Sequence, residues 1–95
     1  MTAVLFPLGR IVATPGALTA LGNAGVDPVE LLTRHLSGDW GDLDAHDRLE
    51  NERGLRHGLR LLSAYGLGEN GADRRVWLIT EADRSCTCIL LPEEY

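Results

Sequence analysis

The chain changes character at Gly58, and this change restricts the folds that it can adopt. Before Gly58 the sequence carries helix start and stop signals, whereas after it come short runs rich in leucine, valine, isoleucine and aromatic residues. Such runs, separated by short links, are typical of antiparallel strands. The 95 residues fit one domain with a single modest core. We therefore expect one domain over residues 1–95, with a helical half at about 14–58 and a β-meander at about 59–92.

Two helices are predicted in the first part of the helical half. Thr14 has the residue type of an N-cap, and Gly22 supplies a stop for the helix that follows. Asp27 with Glu30 three residues later gives the capping-box pattern of a second helix, which Gly38 ends. The first segment places alanines and leucines at helical spacing, and the second places Leu32 and Leu36 on one face, so each should bury one face.

A third helix is predicted from Ala45 to about His57, with Asp44 as its N-cap. Its apolar stripe is thin, because Ala45 and Leu49 share one side while most other positions are charged. The helix should lie on the outside with one edge buried. Of all the elements, we expect this helix to contact a partner.

The strand signals complete an α+β fold with the order β-α-α-α-β-β-β. Runs of strand type lie at Arg10–Ala13, Arg60–Tyr65, Val76–Glu81 and Thr87–Leu91. The links at 69–71 and 83–85 are short, which predicts a three-stranded antiparallel C-terminal meander. We expect the helices to pack on one face of this sheet. The sequence leaves open where the first strand pairs.

An acidic block carries the whole formal charge of the chain. Six carboxylates and one arginine lie between Asp39 and Glu52, which gives the net charge of −5 found for the entire sequence. Trp40 lies at the head of the block between two glycines. A tryptophan in this setting is either a core residue or an exposed anchor of a partner-binding surface. An acidic chain repels phosphates, so direct binding to nucleic acid is not expected.

The same acids have a structural explanation and a metal-binding one. Asp44 and Asp47 lie where the helix dipole favours negative charge, and later acids lie at helical spacing from arginines. The cluster also resembles a site for a hard cation, but its spacing does not fit a calcium loop, since Asp47 stands where glycine is required. We therefore predict no metal and no cofactor.

No catalytic motif is found in the sequence. The histidines His35, His46 and His57 and several serines could in principle form an acid–base pair, but no nucleophile elbow surrounds a serine. We therefore expect no enzyme activity. Residues 1–10 show neither a signal peptide nor a membrane span, so we expect a cytoplasmic location and no membrane partner.

Four parts of the sequence are specific enough to suggest a relationship: Leu8–Leu18, Arg34–His35 with Gly38–Asp42, Trp77–Ser85 and Ile89–Tyr95. They resemble a family of small bacterial proteins that is often labelled "plasmid-related protein" and occurs on plasmids and integrative elements. The resemblance implies no activity and brings no catalytic residues. It implies a setting on mobile elements, which carry small acidic proteins that block host defence.

These observations lead to two hypotheses. The first is a non-enzymatic inhibitor of a nucleic-acid-handling defence complex, of the anti-CRISPR or anti-restriction type, which docks on a basic groove. Its predicted partner-binding residues are Asp39, Trp40, Asp42, Asp44 and Asp47. The alternative is an accessory or regulatory interaction module of a mobile element that has no inhibitor role and forms a homodimer through its sheet edge.

Overall fold

A computed structural model describes residues 3–68 and 74–95. Within these ranges the elements are β1 (Arg10–Ala13), α1 (Pro15–Ala24), α2 (Pro28–Leu36), α3 (Ala45–His57), β2 (Leu61–Gly66), β3 (Arg75–Thr80), β4 (Cys86–Leu90) and a final 3-10 turn, η1 (Pro92–Glu94). The α+β class and the element order are confirmed. No helix in the described ranges has the length and apolar character needed to cross a membrane.

The sheet has four strands in the order β1-β4-β3-β2 and is mixed. Strands β2, β3 and β4 are antiparallel neighbours, as predicted, with bounds that differ by one residue. The sheet differs from the predicted three-stranded meander in having a fourth strand, because β1, whose pairing the sequence left open, pairs in parallel with β4, from Arg10 opposite Cys86 to Ala13 opposite Ile89. The helices between β1 and β4 supply the long connection that a parallel pair needs. The link predicted at 69–71 lies outside the described residues.

The three predicted N-caps are formed. The side chains of Thr14, Asp27 and Asp44 accept backbone N–H groups from Ala17, Val29 and Asp47, respectively. Helix α1 does not stop at Gly22 as predicted, because it continues to Ala24 and ends where Gly25 adopts a left-handed φ of 68°. Glycine is tolerated inside the last turn of α1, and the left-handed position is what ends the helix.

Helices α1 and α2 pack on the inner face of the sheet. Their buried side chains form one cluster with those of three strands, which includes Leu21, Leu31, Tyr65, Leu78 and Ile89. Helix α3 buries only Asn51 and Gly54, so its predicted place on the outside is confirmed. On the outer face of the sheet the Tyr95 ring packs edge-on against Trp77, with 5.7 Å between ring centroids.

A chain of hydrogen bonds runs through the core and joins α2 to three strands. The His35 ring of α2 contacts the Ser63 hydroxyl through Nδ1 at 2.5 Å and the Thr80 hydroxyl through Nε2 at 2.8 Å. Thr80 then contacts the Thr87 hydroxyl at 2.7 Å, and Thr87 contacts the carbonyl oxygen of Leu8 at 2.7 Å. The four side chains are 0% exposed, so water does not compete for these groups.

The Leu8 carbonyl at the end of this series of hydrogen bonds fixes which group donates in each of them. A carbonyl oxygen can only accept, so the Thr87 hydroxyl donates to Leu8. Each hydroxyl carries one proton, so Thr80 donates to Thr87 and the His35 Nε2–H donates to Thr80. Ser63 then donates to the bare Nδ1. All the groups are satisfied together when His35 is neutral and carries its proton on Nε2.

Burial, together with the smaller effect of the positive charge of Arg84, lowers the pKa of His35 from 6.5 to about 4. We predict that the free energy of unfolding falls as the pH is lowered, because the unfolded imidazole binds a proton that the folded one does not. The stabilisation is complete above pH 6.5 and is lost as the pH falls through about 4. The loss should approach about 3 kcal/mol, measurable by urea denaturation across this range.

His46 provides the matched control for this prediction, because its side chain is 79% exposed. The His46→Gln variant should keep the pH dependence of the wild type, whereas His35→Gln should have a much flatter profile between pH 6.5 and about 4. The carboxylates are the same in all three proteins, so their contribution to the profile cancels in the comparison. An unchanged profile in His35→Gln would contradict the role given to the buried imidazole.

Candidate functional site

Two glycines direct the chain from the end of α2 to the outer edge of β2. Gly38 and Gly41 have φ values of 89° and 75°, in the left-handed region that glycine adopts without steric cost. A Cβ added at Gly41 would lie 2.0 Å from the carbonyl oxygen of Ala64. The chain can therefore approach β2 this closely only because residue 41 has no side chain.

The approach places residues 40–42 beside β2, with Gly41 and Ala64 in a parallel bridge. The Ala64 N–H donates to the Trp40 carbonyl at 3.1 Å, and the Asp42 N–H donates to the Ala64 carbonyl at 2.7 Å. The Gly66 N–H donates to Asp42 Oδ2 at 3.1 Å. Part of the acidic block therefore pairs with the sheet edge.

The side chain of Asn51 in α3 binds the backbone of Leu62, the neighbouring outward-facing residue of β2. Its Oδ1 accepts the Leu62 N–H at 3.0 Å, and its Nδ2 donates to the Leu62 carbonyl at 2.5 Å. The residue is 3% exposed, so both bonds are shielded from water. Unpaired edge groups can pair with another chain, and the segment 40–51 prevents this at β2.

Trp40 lies in the interior and not on the surface. It is 8% exposed, its indole stacks on Phe6 at 6.2 Å between ring centroids, and it meets His35 edge-on at 5.7 Å. The expectation of an exposed anchor is therefore corrected, and the alternative of a core residue holds. Trp40 thus helps to shield the buried His35 ring from water.

Asp39 is bound by its own chain. Its carboxylate accepts from Arg34 Nε at 2.7 Å, and its backbone carbonyl accepts from the Tyr65 hydroxyl at 2.6 Å. The Arg34 guanidinium also lies 4.5 Å from the centroid of the Tyr65 ring. The hydrogen bond from Arg34 lowers the pKa of Asp39. Since Arg34 balances its charge, Asp39 offers little net charge to a partner.

The other three predicted site residues lie in the loop before α3 and in its first turn. Asp42 and Asp44 are exposed, and the Asp47 side chain is 49% exposed. One Asp44 oxygen accepts the Asp47 N–H at 2.8 Å, and Asp47 Oδ1 lies 3.5 Å from His46 Nδ1. We call Asp42, Asp44 and Asp47 the anionic surface.

Within this group the possible ligand atoms of Asp44, His46 and Asp47 lie within 4.8 Å of one another. That spacing would suit a divalent cation, although two exposed carboxylates and one imidazole supply only about half of the ligands that such a cation usually takes. Helix capping already accounts for the spacing, because Asp44 is drawn onto the first turn of α3 by the Asp47 N–H. We therefore assign the group to capping.

The later acids do not extend the anionic surface around α3. Glu50 and Glu52 are separated by about 200° of helical rotation, so they point to different sides. Glu50 lies 3.5 Å from Arg53, as its spacing predicted. Arg48 lies four residues before Glu52, at helical spacing, but its side chain donates to the carbonyls of Leu43 at 3.0 Å and Gly41 at 3.3 Å. The acidic block is thus divided into separate parts.

A shallow depression lies between the turn at 38–41 and α3. It is lined by Gly38, Asp39, Trp40, Gly41, Arg48 and Glu52. Its charged groups are one guanidinium and two carboxylates, and Arg34 already engages one of these carboxylates. The depression therefore suits ionic contact with a partner better than enclosure of an apolar ligand.

The described part of the chain contains one serine–histidine hydrogen bond, between Ser63 and His35. Both residues are 0% exposed, and the second ring nitrogen of His35 is bound to Thr80. A substrate cannot reach the Ser63 hydroxyl, and the imidazole has no free nitrogen to act as a base. The pair is therefore part of the core.

Comparison of the chain with protein-family models, with curated proteins and with solved structures finds no match. The fold and the site define a small α+β domain whose β2 edge is closed by a polar segment and whose third helix has three carboxylates in the loop before it and in its first turn.

We predict that Asn51→Ala lowers the free energy of unfolding by about 2–4 kcal/mol, because two buried backbone groups of Leu62 lose their partners. Urea denaturation measures the change. Glu52→Ala, at the next and exposed position, should change it by less than about 0.5 kcal/mol. Equal stability of the two variants would show that Asn51 does not close the edge.

Proposed function

We propose that the protein is a non-enzymatic inhibitor, of the anti-CRISPR or anti-restriction type, that binds a host nucleic-acid-handling complex through the anionic surface. The observation that carries the proposal is the state of these carboxylates. In residues 3–68 and 74–95, Asp42 and Asp44 take part in no ion pair, and Asp47 is paired only with His46. Their charge is available to a partner.

The positive end of the α3 dipole is too weak to cancel the negative charge of the anionic surface. The positive end of a helix is equivalent to about half an elementary charge, which cannot neutralise three carboxylates. A groove that binds nucleic acid is lined by arginine and lysine, so the two surfaces attract each other over about a Debye length, roughly 10 Å at 0.1 M salt. This attraction would orient the inhibitor over the groove and exclude the nucleic acid.

The buried Trp40 and the paired Asp39 change the binding mode that the sequence suggested. Without an aromatic anchor, the anionic surface depends on ionic contacts, which mainly raise the rate of association and fix orientation. Binding should therefore weaken strongly when salt is raised from about 0.1 M to about 1 M, where the Debye length falls to roughly 3 Å.

Two further considerations support the proposal. The resemblance to proteins of plasmids and integrative elements supplies a setting in which blocking a defence complex is useful. A blocker needs a complementary surface and no turnover, and the sealed Ser63–His35 pair is consistent with this. The proposed partner is thus a host protein complex with a basic groove, and neither nucleic acid nor a membrane is bound directly.

The test compares two triple variants that each remove three negative charges. Asp42→Asn, Asp44→Asn and Asp47→Asn together keep the hydrogen-bond acceptors but remove the charge of the anionic surface, since asparagine caps a helix as well as aspartate does. The control combines Asp27→Asn, Glu30→Gln and Glu50→Gln, which are exposed acids outside the anionic surface and outside the depression beside α3. The assay is plating of a DNA phage on a host whose CRISPR or restriction system is active.

We expect the wild type and the control variant to restore phage plating, and the variant of the anionic surface to fail while it remains folded by circular dichroism. Immobilised wild type should also retain a CRISPR or restriction subunit, and added duplex DNA or high salt should release it. Restored plating with all three proteins would place the interface elsewhere. Plating restored by none of them would contradict the inhibitor function for that defence system.

A second candidate is an accessory or regulatory interaction module of a mobile element with no inhibitor role. The observation that favours it is the edge of the sheet at β1, where Ile11 and Val12 are 49% and 37% exposed. It predicts that the variant of the anionic surface keeps its partner, whereas a change in β1 loses it.

A further inference from the structure

Among the residues that the structure describes, the fold covers the edge of the sheet at β2 and leaves the edge at β1 uncovered. At β2, the segment 40–51 supplies backbone and side-chain partners to Leu62, Ala64 and Gly66. At the other edge, β1 pairs with β4 on one side only, and no backbone group in the described ranges pairs with its outer side. An uncovered edge is a template for another strand.

The hydrogen bonds to β4 show which groups of β1 point outward. The Arg10 N–H donates to Ser85 and the Thr14 N–H donates to Ile89, both at 2.9 Å. Backbone groups alternate along a strand, so the N–H and carbonyl of Ile11 and Ala13 face away from β4. The free edge therefore offers two residues, each with one donor and one acceptor.

A second copy of the strand fits this edge in one antiparallel register better than in its neighbours. When Val12 lies opposite Val12 of the other copy, Ile11 faces Ala13 in two hydrogen-bonded pairs that each exchange both backbone bonds. A shift by two residues either way brings Pro15, which has no N–H, or Gly9, whose φ is 65°, into the pairing. The register centred on Val12 therefore pairs both outward-facing residues, Ile11 and Ala13, of each copy.

This register also places opposite charges together. It sets Arg10 of one copy across from Thr14 of the other, and the Thr14 hydroxyl donates to Glu94 Oε1 at 2.7 Å. Residues directly opposite each other in such a pair have Cβ atoms about 5 Å apart, and an arginine side chain reaches beyond that. Each copy would supply one cation and one anion, so the contact is self-complementary.

We propose that two copies of this chain pair through β1, antiparallel about a two-fold axis at Val12, to form one continuous eight-stranded sheet. Arg10 of each copy then pairs with Glu94 of the other. The interface is short, so the dimer is weak and its dissociation constant lies in the micromolar range. The proposal does not rest on the inhibitor function, because the anionic surface lies at the opposite edge of the sheet.

Sedimentation equilibrium of the full chain tests the proposal, with circular dichroism to confirm folding. Ile11→Pro removes an outward N–H and leaves the bonds to β4 in place, so it should raise the dissociation constant at least about tenfold. Val29→Lys changes an exposed apolar residue of α2, 64% exposed, and should leave the constant unchanged. A monomeric wild type at millimolar concentration overturns the proposal, as does an Ile11→Pro dimer of wild-type affinity.

A charge exchange separates this dimer from association through another surface. Arg10→Glu and Glu94→Lys should each weaken self-association about tenfold, because each sets like charges together. A mixture of the two variants should associate as a heterodimer with near wild-type affinity, since both of its cross pairs are then opposite in charge. Failure of the mixture to associate, with both variants folded, would overturn the register.

Discussion

The hydrogen-bond chain from Ser63 to the Leu8 carbonyl fixes where α2 can lie on the sheet. His35 is its centre, and the imidazole contacts hydroxyls of two strands while its ring also packs against Phe6 and Trp40. A buried polar group without a partner is costly, so the helix cannot slide along the sheet without breaking bonds that nothing else would replace. The turn that follows α2, and hence the start of the acidic block, takes its position from this constraint.

That position explains why much of the acidic block serves the fold. The turn brings residues 40–42 against β2, so the carboxylate of Asp42 and the amide of Asn51 cover backbone groups of a strand edge. Asp39 is drawn to Arg34 by the same turn. The charge left over lies at the start of α3, beside the closed edge, while β1 at the far side of the sheet remains open. The two proposed binding surfaces follow from this division.

The sequence was sufficient for features that depend on local interactions. The three N-caps, the long surface helix and the β-meander follow from cap residues, helical spacing and alternating apolar runs. The parallel pairing of β1 with β4 could not be predicted from the sequence, because two strands joined by a long connection carry no local signal of their pairing. Burial of Trp40 and the role of Asn51 could not be read either, since both depend on a turn that meets a strand more than ten residues later in the chain. In the sequence His35 is one of three histidines without a catalytic motif, and only its contacts with Ser63 and Thr80 reveal a core position.

The position of α2 depends on a neutral imidazole, protonated on Nε2, that relays hydrogen bonds through the core. Nitrogen-15 NMR of the ring nitrogens of His35 tests it most directly, because the two nitrogens of a neutral imidazole differ strongly in chemical shift. We expect a proton on Nε2, a bare Nδ1 and titration with a pKa of about 4. A proton on Nδ1, or titration near the ordinary value of 6.5, would contradict it.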